Sequence, residues 1–160
     1  MNAQANVVQS PITAQQGMEE IRRQITNGQT VPVTVTGGSM TPLLRDRRDG
    51  IILAKIEQWP PKIGEIIFCQ RVDSSPVMHR VIGHIGRGVV LNGDGQTWIE
   101  GPIYEEQALA RVQTIRRASR FIDADAPLLR CYSVLWLWLK PARKTIFRLY
   151  RIIFRRNILQ

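Results

Sequence analysis

The chain has 160 residues, enough for one packed core but not for two full ones, and its 44% apolar content excludes a disordered polymer. The net charge of +9 is unevenly placed: residues 126–160 hold eight Lys/Arg and no acid, whereas the first 125 residues hold 14 basic and 13 acidic residues. The main body is therefore nearly neutral, the basic character belongs to the C-terminal segment, and nucleic-acid binding is disfavoured.

In chain order, the N-terminal MNAQANVVQSPITAQQ has neither a basic start nor a long apolar run. It is expected to be neither a secretory signal nor a membrane span. Residues 14–27 place Met18, Ile21 and Ile25 on one side, with Glu19, Glu20, Arg22 and Arg23 elsewhere and Gly28 following. That spacing predicts a short amphipathic helix with a glycine stop. From residue 31 to about 117 the pattern changes to short β-rich runs separated by Gly, Pro and Asp. The predicted strands are Val31–Thr36, Gly50–Lys55, Glu65–Arg71, Val77–His84, Gly88–Leu91 and Leu109–Ile115. No long helix interrupts them, which argues against a parallel βαβ architecture and for a mainly antiparallel β domain. Cys69 and Cys131 are far apart in sequence, a pattern of neither a disulfide framework nor a metal-spaced pair, and one that suggests a reducing compartment.

The expected organisation is an arm and short helix over 1–30, a β domain over 31–117 and a basic tail over 118–160. Within the tail, Cys131–Leu139 is apolar but only nine residues long, and a span needs about 20. Lys144, Arg148, Arg151 and Arg155 recur at helical spacing, opposite a stripe of Ile146, Leu149, Tyr150 and Ile153, and Pro141 fits a first helical turn. Trp136 and Trp138 precede this stretch. A basic face, an apolar face and nearby tryptophans predict an amphipathic helix on an anionic membrane surface. The competing reading is that the apolar stripe packs on the β domain while the arginines stay solvated.

Candidate chemistry centres on VTVTGGSMTPLL, residues 33–44. A serine becomes a nucleophile only when a base takes its proton and backbone donors hold the oxyanion. Gly37 and Gly38 before Ser39 permit a tight backbone and close approach of a substrate, and Pro42 fixes the exit of the turn. Alone, this is weak evidence, because such a serine is more often an ordinary turn residue. The chain has two histidines, His79 and His84, whose odd spacing in one strand sends them to opposite faces. His79, between apolar neighbours in VMHRVI, is the preferred base. For an acid, Asp94 in NGDGQ is either a turn former or an orienting carboxylate, and Glu100 follows it.

Taken together, GGSMTPLL, IGEIIFCQ, HRVI and NGDGQTWIE resemble, in order and approximate spacing, the boxes of type I signal peptidases. The self-cleaving domains of SOS-type repressors share part of the pattern. The resemblance covers about residues 31–116 and implies a mainly β fold of the signal-peptidase and repressor β-ribbon type, with a short N-terminal helix and a basic amphipathic C-terminal helix. Bacterial members carry lysine where this chain reads HRV, so the box looks like the Ser–His branch of archaea and the endoplasmic reticulum. A lysine base must lose about three pKa units to be neutral at working pH, whereas a histidine needs little shift.

Carried over by position, Ser39 resembles the nucleophile and His79 the general base, with Asp94 or Glu100 as the orienting acid. Gly37, Gly38, Met40 and Pro42 would form the oxyanion and substrate-binding turn. Three departures stand out. Gly37 replaces a serine whose hydroxyl assists the oxyanion in many relatives. Arg48 stands where a glycine is usual, just before Asp49. An N-terminal membrane anchor, usual in signal peptidases, is not expected from residues 1–30. The implied activity is a serine endopeptidase acting on a peptide or precursor protein, without metal or cofactor, expected in the cytoplasm or at the inner membrane face. A catalytically silent β module that binds peptide or membrane is the alternative from another class. A self-cleaving repressor-type regulator is disfavoured, because only one short helix fits before the β domain.

Overall fold

The computed structural model describes residues 14–143, 145 and 148 of the chain. Its centre is an eight-stranded sheet in the order β1-β2-β7-β3-β4-β5-β6, with β8 added on β7. The strands are β1 (Val31–Thr34), β2 (Asp49–Ala54), β3 (Ile66–Gln70), β4 (Pro76–Ile85), β5 (Gly88–Asn92), β6 (Glu100–Ile103), β7 (Ala108–Arg117) and β8 (Arg120–Asp123). Every pairing is antiparallel, as expected of a mainly β chain without crossover helices. β7 organises the sheet: one edge pairs with β2, while the other takes β3 over its first half and β8 over its second.

The six strands predicted from alternation lie within two residues of the observed ones. Two strands were not predicted. β6 reads EGPI, and its Gly-Pro pair is a breaker tolerated here because the strand sits at the sheet edge. β8 is short, with polar residues at both ends, and it forms because a turn folds it back on β7.

Helix α1 (Ala14–Thr26) follows its apolar spacing, with Met18 and Ile25 buried. It ends as the glycine predicts. Gly28 adopts φ +75°, and the N–H groups of Gly28 and Gln29 bond the Ile25 and Gln24 carbonyls at 3.0 Å each, a Schellman closure. Ile25 joins Val31, Val35, Met40, Leu44, Ile51, Leu53, Ile66, Val112 and Ile115 in one core cluster. A second cluster of Ile67, Cys69, Val77, Val81, Val89, Leu91 and Ile103 joins β3 to β6.

The expected boundary at residue 117 falls at the end of β7. It cuts the β7–β8 hairpin, and the residues beyond form α2 (Pro127–Trp138), which packs on the sheet. A single 3₁₀ turn, Lys140–Ala142, follows, and Arg143, Thr145 and Arg148 are helical. Trp136, assigned above to a membrane surface, is instead buried, whereas Trp138 is 80% exposed. Arg148 is exposed; Lys144, Arg151 and Arg155 lie outside the described residues. No helix among the described residues is long and apolar enough to cross a membrane.

The loop from β1 to β2 is held at its base by Asp49, which is fully buried. Its carboxylate accepts from the Arg45 N–H at 3.0 Å, from Arg48 at 3.0 and 3.1 Å, and from Arg117 at 3.2 and 3.1 Å. Burial pushes the Asp49 carboxyl up, but these hydrogen bonds outweigh it and hold the group down at about 2. A carboxyl lowered in the folded state contributes stability that is complete above its unfolded value and lost as pH falls through its folded one. Asp49→Asn should therefore cost about 1–2 kcal/mol at neutral pH, after allowance for the solvent around both arginines. The difference from the parent chain should close between about pH 4 and pH 2, as urea unfolding at each pH would measure.

Candidate active site

Consecutive residues of a strand face opposite sides of the sheet, so β4 sends His79 one way and Arg80 the other. Both are 1% exposed, and each meets its own carboxylate. His79 pairs in register with Ile67 of β3, and its Nδ1 lies 3.3 Å from Glu100 Oε2. The contact is within ion-pair range but off the line of a hydrogen bond, which leaves this buried ring nitrogen otherwise unpartnered. Glu100 is also held by Arg71, through Arg71 Nε at 3.3 Å and a second, shorter contact from Nη2. Burial lowers the His79 pKa, the Glu100 charge raises it and the Arg71 charge lowers it again, for a net depression. The imidazole is thereby kept neutral at neutral pH, the form a general base requires.

Arg80 makes a closed set of bonds on the opposite face. Its Nε and Nη2 reach the two Asp94 oxygens at 2.8 and 2.6 Å, and its Nη1 donates to Gly64 O at 2.8 Å and to Ser133 Oγ at 2.6 Å. Asp94 is fully buried. The alternative left open in the sequence thus separates in space. Asp94 belongs to Arg80, and Glu100 is the carboxylate beside His79.

The turn carrying Asp94 is also where the Ser39 loop docks. Ser39 O accepts from the Gly95 N–H at 2.8 Å. A methyl group on Gly93 would meet Ser39 O at 2.6 Å, and one on Gly95 would meet Gly38 O at 2.7 Å and Thr41 O at 3.1 Å. The two glycines flanking Asp94 are therefore a packing requirement, because they let two backbones touch. Asn92, the residue before this turn, is in register with Arg80, next to His79 in β4.

Within the Ser39 loop, Gly37 adopts φ +84° and is exposed, a conformation that glycine takes without strain. Its N–H donates to Asp46 Oδ1 at 2.8 Å, so this group is already engaged and does not serve an oxyanion. The N–H groups of Gly38, Ser39 and Met40 make no hydrogen bond among the described residues. The Met40 side chain is 1% exposed and anchors the loop in the core beside Leu44; Pro42 is exposed. Ser39 is half-buried, and its Oγ makes no hydrogen bond to His79. His84 plays no part here: its Nε2 lies 2.8 Å from Pro61 O.

Residues from the supposed tail complete the support, and sequence reasoning passed over their role. Trp136 Nε1 donates to Asp94 O at 3.1 Å, and its ring stacks on Tyr132 at 5.8 Å. Arg143, 1% exposed, donates to Asn92 Oδ1 at 2.6 Å and to Trp136 O at 2.9 Å, with its guanidinium 4.9 Å from the Trp136 ring. The available signal was an arginine following the candidate base in HRVI, which needs an acid if it is buried.

Two hollows flank this centre. A groove of about 430 Å³ runs beside Glu100, Arg71 and Pro102. An apolar cavity of about 270 Å³ lies under α2 on the Arg80 face, and neither Ser39, His79 nor Glu100 lines it. Among the described residues, no group of three or more His, Cys, Asp or Glu is placed to hold a metal ion. Cys69 is buried, with its thiol pushed up to about 12 by burial and by the Glu100 charge, so it stays protonated and inert.

Gly95→Ala should lower stability by about 1–3 kcal/mol, because the added methyl forces two backbones apart. Amide exchange at residues 38–41 should accelerate with it, and mass-resolved hydrogen exchange would read both. Set against models of known protein families and against curated proteins, the chain matches none.

Proposed function

We propose that this protein is a serine endopeptidase resembling type I signal peptidase, acting on a peptide or precursor protein through Ser39 and His79 with Glu100 as the orienting acid. The observation that carries the reading is the buried, neutral His79 with a carboxylate at Nδ1 and the Ser39 loop docked beside the neighbouring strand. With Glu100 at Nδ1, the proton-bearing nitrogen faces the acid and Nε2 is left as the acceptor. Ser39 Oγ attacks the scissile carbonyl carbon while its proton passes to His79 Nε2. The imidazolium so formed is stabilised by Glu100 and returns the proton to the leaving amine. Water then repeats the sequence on the acyl-enzyme, releasing the second product and free Ser39. The N–H groups of Gly38, Ser39 and Met40, without a partner among the described residues, would bind the oxyanion. An extended substrate would add to the sheet as a strand.

A second reading, a β module that binds without catalysis, is favoured by one observation: no hydrogen bond joins Ser39 Oγ to His79. Catalytic hydrogen bonds are often loose before substrate arrives, so chemistry must decide. Under the peptidase reading, a fluorophosphonate probe labels the parent chain and Ser39→Ala abolishes labelling; unchanged labelling of that variant would sink it. Labelling by the parent chain should rise with pH and level off once His79 is neutral, with its midpoint below the ordinary histidine value of 6.5. Glu100→Gln should slow labelling by about 10²-fold or more at little cost in stability, and should move the midpoint lower still, since the Glu100 charge holds it up. Asp94→Asn should instead leave a buried guanidinium short of its partner and lower thermal stability first. Labelling rates and melting curves on the two variants separate these roles.

A further inference from the structure

Leu129, Ser133 and Trp136 turn the inner side of α2 toward the sheet, whereas no described residue covers its outer side. Leu128, Val134, Leu135 and Trp138 are 81%, 57%, 60% and 80% exposed, and the exposed Cys131 lies among them. At about 100° per residue these five positions fall within roughly a third of the helix circumference. Ile63, 55% exposed and lining the cavity under α2 together with Val134, extends the apolar surface onto the sheet side. Single exposed apolar residues need no explanation, but a continuous stripe ending in a tryptophan does.

Charge selects the occupant. After Trp138, apart from the buried Arg143, the chain carries Lys140, Lys144, Arg148, Arg151, Arg155 and Arg156 with no acidic residue. A second copy on this stripe would bring two strongly basic segments together. An anionic lipid surface supplies both missing complements, acyl chains for the stripe and negative headgroups for the basic residues. We infer that the outer face of α2, led by Leu128, Leu135 and Trp138, seats in the interface of an anionic membrane. Because α2 is clamped to Arg80 through Ser133 and to the Asp94 turn through Trp136, the Ser39 loop that docks on that turn is held at a fixed attitude to that surface. Trp136 is excluded from the contact and Trp138 carries it.

Co-sedimentation of the full chain with vesicles of phosphatidylcholine, with and without phosphatidylglycerol, tests this. The parent chain should bind the phosphatidylglycerol vesicles, and the combined Leu128→Ser, Leu135→Ser and Trp138→Ser variant should bind them about ten-fold or more weakly. All three positions are exposed, and an unchanged circular dichroism spectrum would show that the fold is intact. Failure of the parent chain to bind would overturn the inference, as would equal binding by the variant, which would leave charge alone responsible. A parent dimer that the variant dissolves, seen by sedimentation equilibrium without lipid, would assign the stripe to a second copy instead. None of these outcomes depends on the peptidase reading.

Discussion

The buried ion pair of Arg80 and Asp94 is the constraint on which the rest of the structure depends. Two charges removed from water are tolerable only when every lone pair and proton is satisfied, and here the guanidinium draws on three separate parts of the chain. It takes both oxygens of Asp94, the Gly64 carbonyl and the Ser133 hydroxyl. Each bond fixes a different element: the turn after β5, the approach to β3, and α2. Trp136 and Arg143 then tie α2 back to the same turn. The Ser39 loop has no strand of its own and is positioned by resting on that turn.

This arrangement separates two carboxylates that sequence proximity makes look equivalent. Asp94 neutralises Arg80 on one face of β4, which leaves Glu100 to face His79 on the other. Glu100 is itself shared with Arg71, so its charge is partly compensated and its pull on the imidazole moderated. Burial then prevails, and His79 sits below its ordinary pKa. A lysine at this position would have to lose about three pKa units to be neutral at working pH. The histidine starts near that pH, so the same burial leaves it neutral.

What could be read from the chain beforehand divides along physical lines. Helix α1 and six strands were legible because their signals are local, such as the Met18–Ile21–Ile25 stripe, the Gly28 stop and the alternation in β4. β6 was hidden by Gly101 and Pro102, residues that exclude an interior strand but not an edge one. Trp136 looked like an interfacial residue because its burial is created by Asp94, 42 positions earlier. α2 was obscured in the same way: it is apolar on both its inner and outer faces, so no polar stripe marked its orientation. The choice between Asp94 and Glu100 was illegible because it rests on which arginine, Arg80 or Arg71, reaches which acid.

The central claim is that Ser39, His79 and Glu100 form one catalytic unit, and a crystal structure of the protein after reaction with a fluorophosphonate tests it most directly. The account predicts phosphorus bonded to Ser39 Oγ, His79 Nε2 within about 2.6–3.2 Å of the adduct, and Glu100 at His79 Nδ1. An unmodified Ser39, or an adduct with His79 turned away from it, would contradict the account.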